Sequence, residues 1–338
     1  MRLRSSEALT RVVPEERFAQ AAPRVAIVIL NWNGEKVLRD CLRSVFALSY
    51  PAAEAIVVDN GSSDGSVEMV RREFGNCFLI ENPVNVGFSA GNNQGICLAL
   101  ERGNDYVMVL NNDTVLDREC LTWLVERAKS DSRIAAVSPK IYFSEPPNRL
   151  WFAGGTFSYW KGRNGQAGYG RRDGERWSRA GEMEFISGCA LLAPRRVWEE
   201  VGGFDELFFW SGEDVDWSLR LRKAGYKLFY EPRALVWHRV SYSMLHGDGE
   251  AGRLYYYTRN NLLYMWRHAR WWHWLTFVPY LFALSAKRAL EVARARDWKS
   301  IPAIVRGARD FPRYVREFRR PHSVKADRYT LKGLATGR

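Results

Sequence analysis

From Val25 onward the chain alternates short apolar runs with amphipathic stretches, the pattern of successive β-α-β units that build a mostly parallel sheet flanked by helices. Val25 to Leu30 is an unbroken apolar run rich in β-branched residues, which suits a strand buried on both faces. Asn31-Trp32-Asn33-Gly34 interrupts it, and Lys36 to Leu48 resumes with helical spacing. Ala55 to Val58 predicts a second strand, Gly61 to Gly65 a turn and Ser66 to Phe74 a helix. Cys77 to Ile80 predicts a third strand, Ala90 to Glu101 a helix, and Tyr106 to Leu110 a fourth strand.

The texture changes between Ser144 and Gly181, where Gly154-Gly155 and the stretch from Gly162 to Gly174 predict mobile loop. An irregular segment of that length within a compact chain is often functional. Periodicity returns over Glu184 to Leu192, Val197 to Val201 and Val215 to Ala224, followed by strand-like Lys227 to Tyr230 and Ala234 to Trp237. The second half therefore belongs to the same fold. Beyond about Gly252 the chain turns helical and aromatic, and Trp271 to Ala286 carries no charge if His273 is neutral. That run is shorter than the roughly 20 residues that span a bilayer and contains Pro279, so it is expected to lie in the membrane interface. A buried core helix beside a solvated basic one is the alternative. The expected organisation is an N-terminal tail over 1–22, an α/β domain over 23–250, an aromatic and basic helical region over 251–320 and a C-terminal tail over 321–338.

Composition narrows the setting. The five cysteines are odd in number and scattered, without CxxC spacing, which favours a reducing compartment and disfavours a cysteine zinc site. Residues 1–22 hold no continuous apolar run, so no secretory signal is expected and the active site should face the cytoplasm. Of the net charge of +12, +10 falls between Lys287 and Arg338, where 15 Lys and Arg meet five Asp and Glu. A nearly neutral body with a basic end fits attraction to anionic lipid better than a nucleic-acid surface spread over the fold.

Three sets of residues carry candidate chemistry. Polar loops follow the early strands: Asn31 to Gly34, Asp59-Asn60-Gly61-Ser62-Ser63-Asp64, and Asn85-Val86-Gly87-Phe88. Open α/β sheets bind ligands at such strand ends, and an Asp there can accept a hydrogen bond from a pyrimidine N3–H. Alone, Asp59-Asn60-Gly61 reads more readily as an ordinary turn. No GxGxxG or GxxxxGK[ST] is present, which counts against dinucleotide oxidoreductases and P-loop enzymes. Next, Asn111-Asn112-Asp113 ends the fourth strand, and one carboxylate suffices for a hard divalent cation whose shell is completed by diphosphate; a strand-end turn capping a helix is the plainer reading. Last come Gly203-Phe204-Asp205-Glu206, then Trp210 to Trp217 with Glu213, Asp214 and Asp216, then Trp237-His238. The acids read either as a helix N-terminal turn, which explains Asp216 well, or as a base at a pocket mouth.

In this order the residues resemble family 2 glycosyltransferases of the GT-A fold, particularly the rhamnosyltransferase-like branch. The matching elements are Ile29 to Gly34, Val58 to Ser66, Asn85 to Phe88 with Gly91-Asn92-Asn93, Leu110 to Thr114, Glu213 to Asp216 and Trp237-His238, spanning about Val25 to Val240. The resemblance implies Asp59 on the pyrimidine base, with Leu30, Asn31, Asn33, Asn85, Gly87, Asn92, Asn111 and Asn112 lining the nucleotide-sugar site. It further implies Asp113 as the last position of a DxD-like motif on Mg²⁺ or Mn²⁺, His238 as a second metal ligand, and Asp214 as catalytic base with Glu213 as the next candidate. Asn111 departs from the pattern, so one carboxylate is offered there. Trp151, Trp210 and Asp216 are the candidates on the acceptor side. The implied reaction is an inverting transfer from a UDP- or dTDP-sugar, rhamnose among the candidate sugars, to a saccharide or polyprenyl-linked acceptor at the inner face of the plasma membrane. A non-catalytic nucleotide-sugar or glycan-binding module is the rival reading; a nucleic-acid partner is not expected.

Overall fold

The computed structural model describes residues 22–240 and 249–318, so the tails expected at 1–22 and 321–338 lie almost wholly or wholly outside the described residues. Strand β1 (Val25–Asn31) is buried along nearly its whole length, as its unbroken apolar run requires. Helix α1 (Glu35–Phe46) turns Val37, Leu38, Cys41, Leu42 and Val45 inward, and carries Glu35 in its first turn and Arg43 in its last, each complementing the helix dipole. Then follow β2 (Ala53–Asp59), α2 (Ser66–Glu73), β3 (Phe78–Glu81), α3 (Phe88–Glu101) and β4 (Tyr106–Asn111). These strands pair in parallel in the order β3-β2-β1-β4. The polar loops after β1, β2, β3 and β4 thus share one edge of the sheet.

Beyond β4 the sheet becomes mixed. Short β5 (Thr114–Leu116) precedes α4 (Cys120–Lys129), β6 (Ile134–Phe143) and β7 (Leu150–Phe152). The segment after Asp113 is therefore a strand, not the capped helix of the plainer reading. The glycine-rich stretch expected to be loop holds a hairpin, β8 (Gly155–Ser158) with β9 (Arg163–Gln166), and then β10 (Gly181–Met183). Strand β11 (Ala190–Pro194) runs antiparallel between β4 and β6; α5 (Arg195–Val201), α6 (Glu213–Lys223) and β12 (Lys227–His238) complete the body. The two strand-like runs near the end are one strand, with an irregularity between Glu231 and Leu235 where it pairs with β6.

Three helices follow: α7 (Gly249–His268), α8 (Trp274–Arg294) and α9 (Ile301–Phe318). Leu254, Val292, Ala303 and Ile304 form a small core among them. Among the described residues no helix is long and apolar enough to cross a membrane. The five cysteines are unpaired.

Candidate active site

Around Asp59 the loops at the sheet edge are held by neutral amides and hydroxyls, and Asp64 of the same loop accepts from the Glu35 N–H at 3.0 Å. Asn31 Nδ2 donates to Asp59 Oδ1 (2.9 Å) and to Ser62 Oγ (3.2 Å), while Ser62 donates to Asp59 from its backbone N–H (2.9 Å) and its hydroxyl (2.6 Å). Asn112 Nδ2 donates to Asn31 Oδ1 at 2.7 Å, tying the β1 and β4 loops together. Gly34 makes that possible: a Cβ there would lie 2.2 Å from Asn112 Nδ2 and 2.6 Å from Asn31 Oδ1. Asn33, with positive φ, accepts from the Ser63 N–H at 2.7 Å. Asn60 Nδ2 donates to Asn85 Oδ1 (2.8 Å), which also accepts from the Gly87 N–H (2.9 Å).

Several residues expected to touch the donor are instead built into this scaffold. Asn31 is fully buried with its amide engaged on both sides, and Asn112 is 4 % exposed, so both position the loops around Asp59. Gly87 is buried against Phe209, which a Cβ would approach to 2.6 Å, and Phe88 N–H donates to Phe209 O at 2.7 Å. Asn92 is fully buried in α3 and donates to Phe88 O. These residues pack the start of α3 onto the Phe204–Phe209 loop, a junction clamped by reciprocal bonds between Asn93 and the Phe204 backbone. Leu30, Asn33, Asn85 and Asn111 remain partly exposed along the edge.

Asp113 and His238 meet. β5 pairs antiparallel with the end of β12, setting His238 opposite Thr114, and Arg239 N–H donates to Asp113 O at 2.9 Å. His238 Nε2 then lies 3.1 Å from Asp113 Oδ1, both side chains being buried. Burial works against an imidazolium there, but the adjoining Cys189 sulfur and the Asp113 carboxylate outweigh it and raise the His238 pKa to about 10. The other ring nitrogen, Nδ1, is buried without a partner. Among the described residues no group of three or more His, Cys, Asp and Glu could hold a metal. Without a metal, Nε2 thus carries a proton toward Asp113; a cation would have to displace that proton, and the freed imidazole nitrogen with one Asp113 oxygen would then fit Mg²⁺ or Mn²⁺ when diphosphate oxygens and water fill the rest of the shell.

Asp214 reaches the same place through the Ser187–Cys189 turn, which sequence reasoning missed. Gly188 N–H donates to Asp214 Oδ2 at 3.1 Å, and the neighbouring Cys189 accepts from Asn111 N–H at 2.9 Å through its carbonyl. Asp214 sits in the first turn of α6, where Val215 N–H also reaches its carboxylate (2.8 Å). Burial outweighs these bonds and raises its pKa to about 6, the range of a general base at neutral pH. Glu213 beside it is buried, holds Oε2 without a partner, and has its pKa raised by burial and by Asp214.

Asp216 is a correction. Its carboxylate is fully buried and bonded to Arg220 (2.8 Å), Arg267 (3.2 Å) and His268 (2.8 Å), so it is closed to an acceptor and ties α6 to α7. Trp151 stands edge-on to His238, ring centroids 4.7 Å apart, beside the candidate metal pair. Trp210 packs against Tyr256 and Tyr257 of α7, and its carbonyl accepts from Asn260 at 2.9 Å, so it holds the loop leading to Asp214.

Comparison with known proteins bears on this geometry. The model of Glycosyl transferase family 2 matches residues 26–194, half of the chain. Poly-beta-1,6-N-acetyl-D-glucosamine synthase of Staphylococcus aureus strain COL is 29% identical over 222 residues, which is 64% of this chain and 50% of the relative. The Staphylococcus epidermidis protein of that name is 29% identical over 227 residues, 65% of this chain and 51% of the relative. The chain thus spans about half the length of the curated relatives it matches. Among solved structures, the mannosyltransferase PcManGT of Pyrobaculum calidifontis, in complex with GDP-Man and Mn²⁺, aligns with a TM-score of 0.53 at 16% identity, over 86% of this chain and 87% of that one. GalNAc-T7 with UDP, GalNAc and Mn²⁺ aligns at 0.52 and 16% identity, over 65% of this chain and 44% of that one. A parallel sheet whose edge loops surround Asp59, with Asp113 and His238 brought together there, is thus the GT-A fold, and the chain belongs to glycosyl transferase family 2.

Proposed function

We propose that the protein is an inverting glycosyltransferase that moves a sugar from a UDP- or dTDP-sugar to a saccharide or lipid-linked saccharide acceptor in cell-surface polysaccharide synthesis. The convergence of Asp113 with His238 at 3.1 Å, joined to Asp214 through the Ser187–Cys189 turn, carries this reading. Asp59 accepts the pyrimidine N3–H, held in place by Asn31 and Ser62. Asp113 and His238 would hold Mg²⁺ or Mn²⁺, which when bound would supply positive charge for the departing diphosphate. Asp214 takes the proton from the acceptor hydroxyl as that oxygen attacks the anomeric carbon, and a single displacement inverts the configuration. Domain roles follow: residues 23–250 catalyse, and residues 251–320 rest on the inner face of the plasma membrane through the exposed side chains of Trp271, Leu275 and Phe282.

The test is a calorimetric donor screen with and without Mn²⁺, covering UDP-N-acetylglucosamine, dTDP-rhamnose and GDP-mannose, followed by nucleoside diphosphate release on adding acceptor. A pyrimidine donor should bind about tenfold or more tightly with metal than without. Preference for the guanosine donor sinks the role of Asp59, and donor binding without release in any acceptor mixture leaves a binding module instead.

A further inference from the structure

A second cleft, of about 580 Å³, opens beside the β8–β9 hairpin and is lined by Gly168, Tyr169, Arg171, Arg172, Arg176 and Trp177. All three arginines are exposed, and among the described residues none is engaged in an ion pair. Of the two acids in this run, Asp173 is turned inward, accepting from Lys140 Nζ (2.9 and 3.1 Å), from the Tyr142 hydroxyl (2.5 Å) and from Gly174 N–H (2.8 Å), and Glu175 is exposed but does not line the cleft. Among the described residues, the cleft is therefore lined by three arginines and no acid.

Its walls are held by the main sheet. Arg149 donates to Gly170 O at 2.7 Å, Gly170 N–H donates to Leu150 O at 2.8 Å, and Tyr230 donates to Trp177 O at 2.9 Å. Arg176 lies over the Trp177 ring, 4.9 Å from its centroid. Tyr169 packs edge-on to Phe143, which is the cross-strand neighbour of His238 in the β6–β12 ladder. Tyr169 and Phe143 thus link the cleft to the strand position of His238.

We propose that this cleft is an acceptor subsite for an oxyanion, a phosphate or carboxylate carried by the acceptor, with Tyr169 and Trp177 against the adjoining sugar ring. The inference rests on the reading of the chain as a transferase acting on saccharides, and adds that the acceptor is anionic. Arginine forks grip phosphate and carboxylate oxygens in pairs, which lysines do not, and the basic residues of this cleft are all arginine. An arginine run on a surface is ordinarily solvated, but these three share one concavity with two aromatic rings. The anion has two chemical sources, a charged sugar of the acceptor or the diphosphate of a lipid carrier.

The test uses the full chain with its donor site saturated by UDP and with Mn²⁺ kept in excess over every added anion, so that chelation by pyrophosphate does not empty the donor site and the anions report on the second cleft. Tetragalacturonate, inorganic pyrophosphate and an uncharged tetrasaccharide are titrated against wild type and against R171Q/R172Q/R176Q. Wild type should prefer one anion over the uncharged sugar by about tenfold, and the triple variant should lose that preference while UDP affinity stays within about twofold. Preference for tetragalacturonate assigns the charge to the sugar, and preference for pyrophosphate assigns it to a lipid diphosphate. Binding of neither anion in preference to the uncharged sugar by wild type, or an unchanged triple variant, overturns the proposal. Loss seen with phosphatidylglycerol vesicles but not with the soluble anions overturns it too, in favour of a membrane contact. If UDP itself fails to bind wild type, the transferase reading falls instead. Should the glutamine variant fold poorly, R171K/R172K/R176K keeps the charge and removes the forks: weaker binding of the preferred anion supports the subsite, and unchanged binding overturns it.

Discussion

The cradle around Asp59 and the junction between α6 and α7 are both buried polar networks, yet they are made of different material. In the cradle, Asn31, Ser62, Asn112, Asn60 and Asn85 exchange neutral hydrogen bonds around the single carboxylate of Asp59. At the junction, one buried carboxylate, Asp216, gathers Arg220, Arg267 and His268, and Asp205 takes a further bond from Arg267 at 2.8 Å. Neutral networks can leave lone pairs open for a ligand, whereas an ion network in a low-dielectric interior tolerates no loss of a member. The contrast sharpens within α6. Asp214 and Asp216 share its first turn, so the helix dipole favours both; burial without a cation raises the pKa of Asp214, and Arg220, the His268 hydrogen bond and Arg267 hold Asp216 well below the usual carboxylate range despite burial. The partners decide, and the helix end does not.

The largest effect should come from removing the reactive member of that pair. Asp214→Asn is expected to lower turnover by about 10³-fold, within the span of general-base catalysis, with donor affinity nearly unchanged. Because the folded pKa of Asp214 is raised, its ionised form opposes folding at neutral pH, and the variant should not melt below wild type. In wild type, kcat/KM should fall on the acid side of about pH 6, where Asp214 is protonated, by about tenfold per pH unit. Near-full turnover of the variant would move the assignment to Glu213.

Asp216→Ala, by contrast, should act on the fold. Breaking a buried charge network costs about 3–5 kcal/mol, visible as a lower denaturation midpoint, with donor affinity affected only as far as α6 loosens. Asp216 has a depressed folded pKa, so the stability it contributes is present above the unfolded value of about 3.9 and is lost as pH falls toward the folded one. The gap between wild type and Asp216→Ala should therefore close in acid. A gap that persists at low pH would show that packing, not charge, holds the junction.

These two carboxylates also mark what was legible beforehand. The strand at Val25 to Leu30, the order of the edge loops and the residues Asp59, Asp113 and Asp214 follow from unbroken apolar runs and from the family pattern, since period and spacing survive in one dimension. Asp216 looked like an ordinary helix-start acid because Arg267 and His268 lie on a helix far along the chain. Asn31 stands among the ligand candidates because residue type does not reveal that its amide already bonds Asp59, Ser62 and Asn112 within the fold. The β8–β9 hairpin escaped notice because Arg163–Gln166 is polar throughout and carries no alternation to read. The Ser187–Cys189 turn contributes mainly backbone groups to the site, and those leave no residue signature.

A smaller change probes the cradle. Asn31→Ala removes the donor to Asp59 and Ser62 and the acceptor for Asn112, leaving buried groups unmatched at about 1–3 kcal/mol. If the network serves to aim Asp59, UDP affinity should drop by about tenfold while the midpoint of unfolding shifts only modestly. Unchanged affinity with the full stability loss would make Asn31 a structural residue alone. Ser62→Ala should follow the same direction with a lesser effect, since the Ser62 N–H remains to bond Asp59.

The least effect on the fold is expected at the outer face of α8, where the contrast with the buried networks is greatest. Leu275, Val278 and Phe282 recur at spacings of three and four along one side of the helix, and Leu275 and Phe282 are 69% and 73% exposed. A large apolar side chain moved out of water gains about 1.5–3 kcal/mol, so such a stripe is stabilised by an apolar surface that the described residues do not supply. Replacing both by Ser removes little native packing and should change stability by no more than about 0.5 kcal/mol. Cosedimentation of the full chain with vesicles containing anionic lipid should nonetheless weaken by about tenfold. The same loss at high and low salt would assign the binding to the apolar stripe, whereas a loss that appears only at high salt would mean that the basic residues from Lys287 to Arg338 carry binding on their own when screening is weak. Unchanged partition under both conditions would remove α8 from the membrane contact.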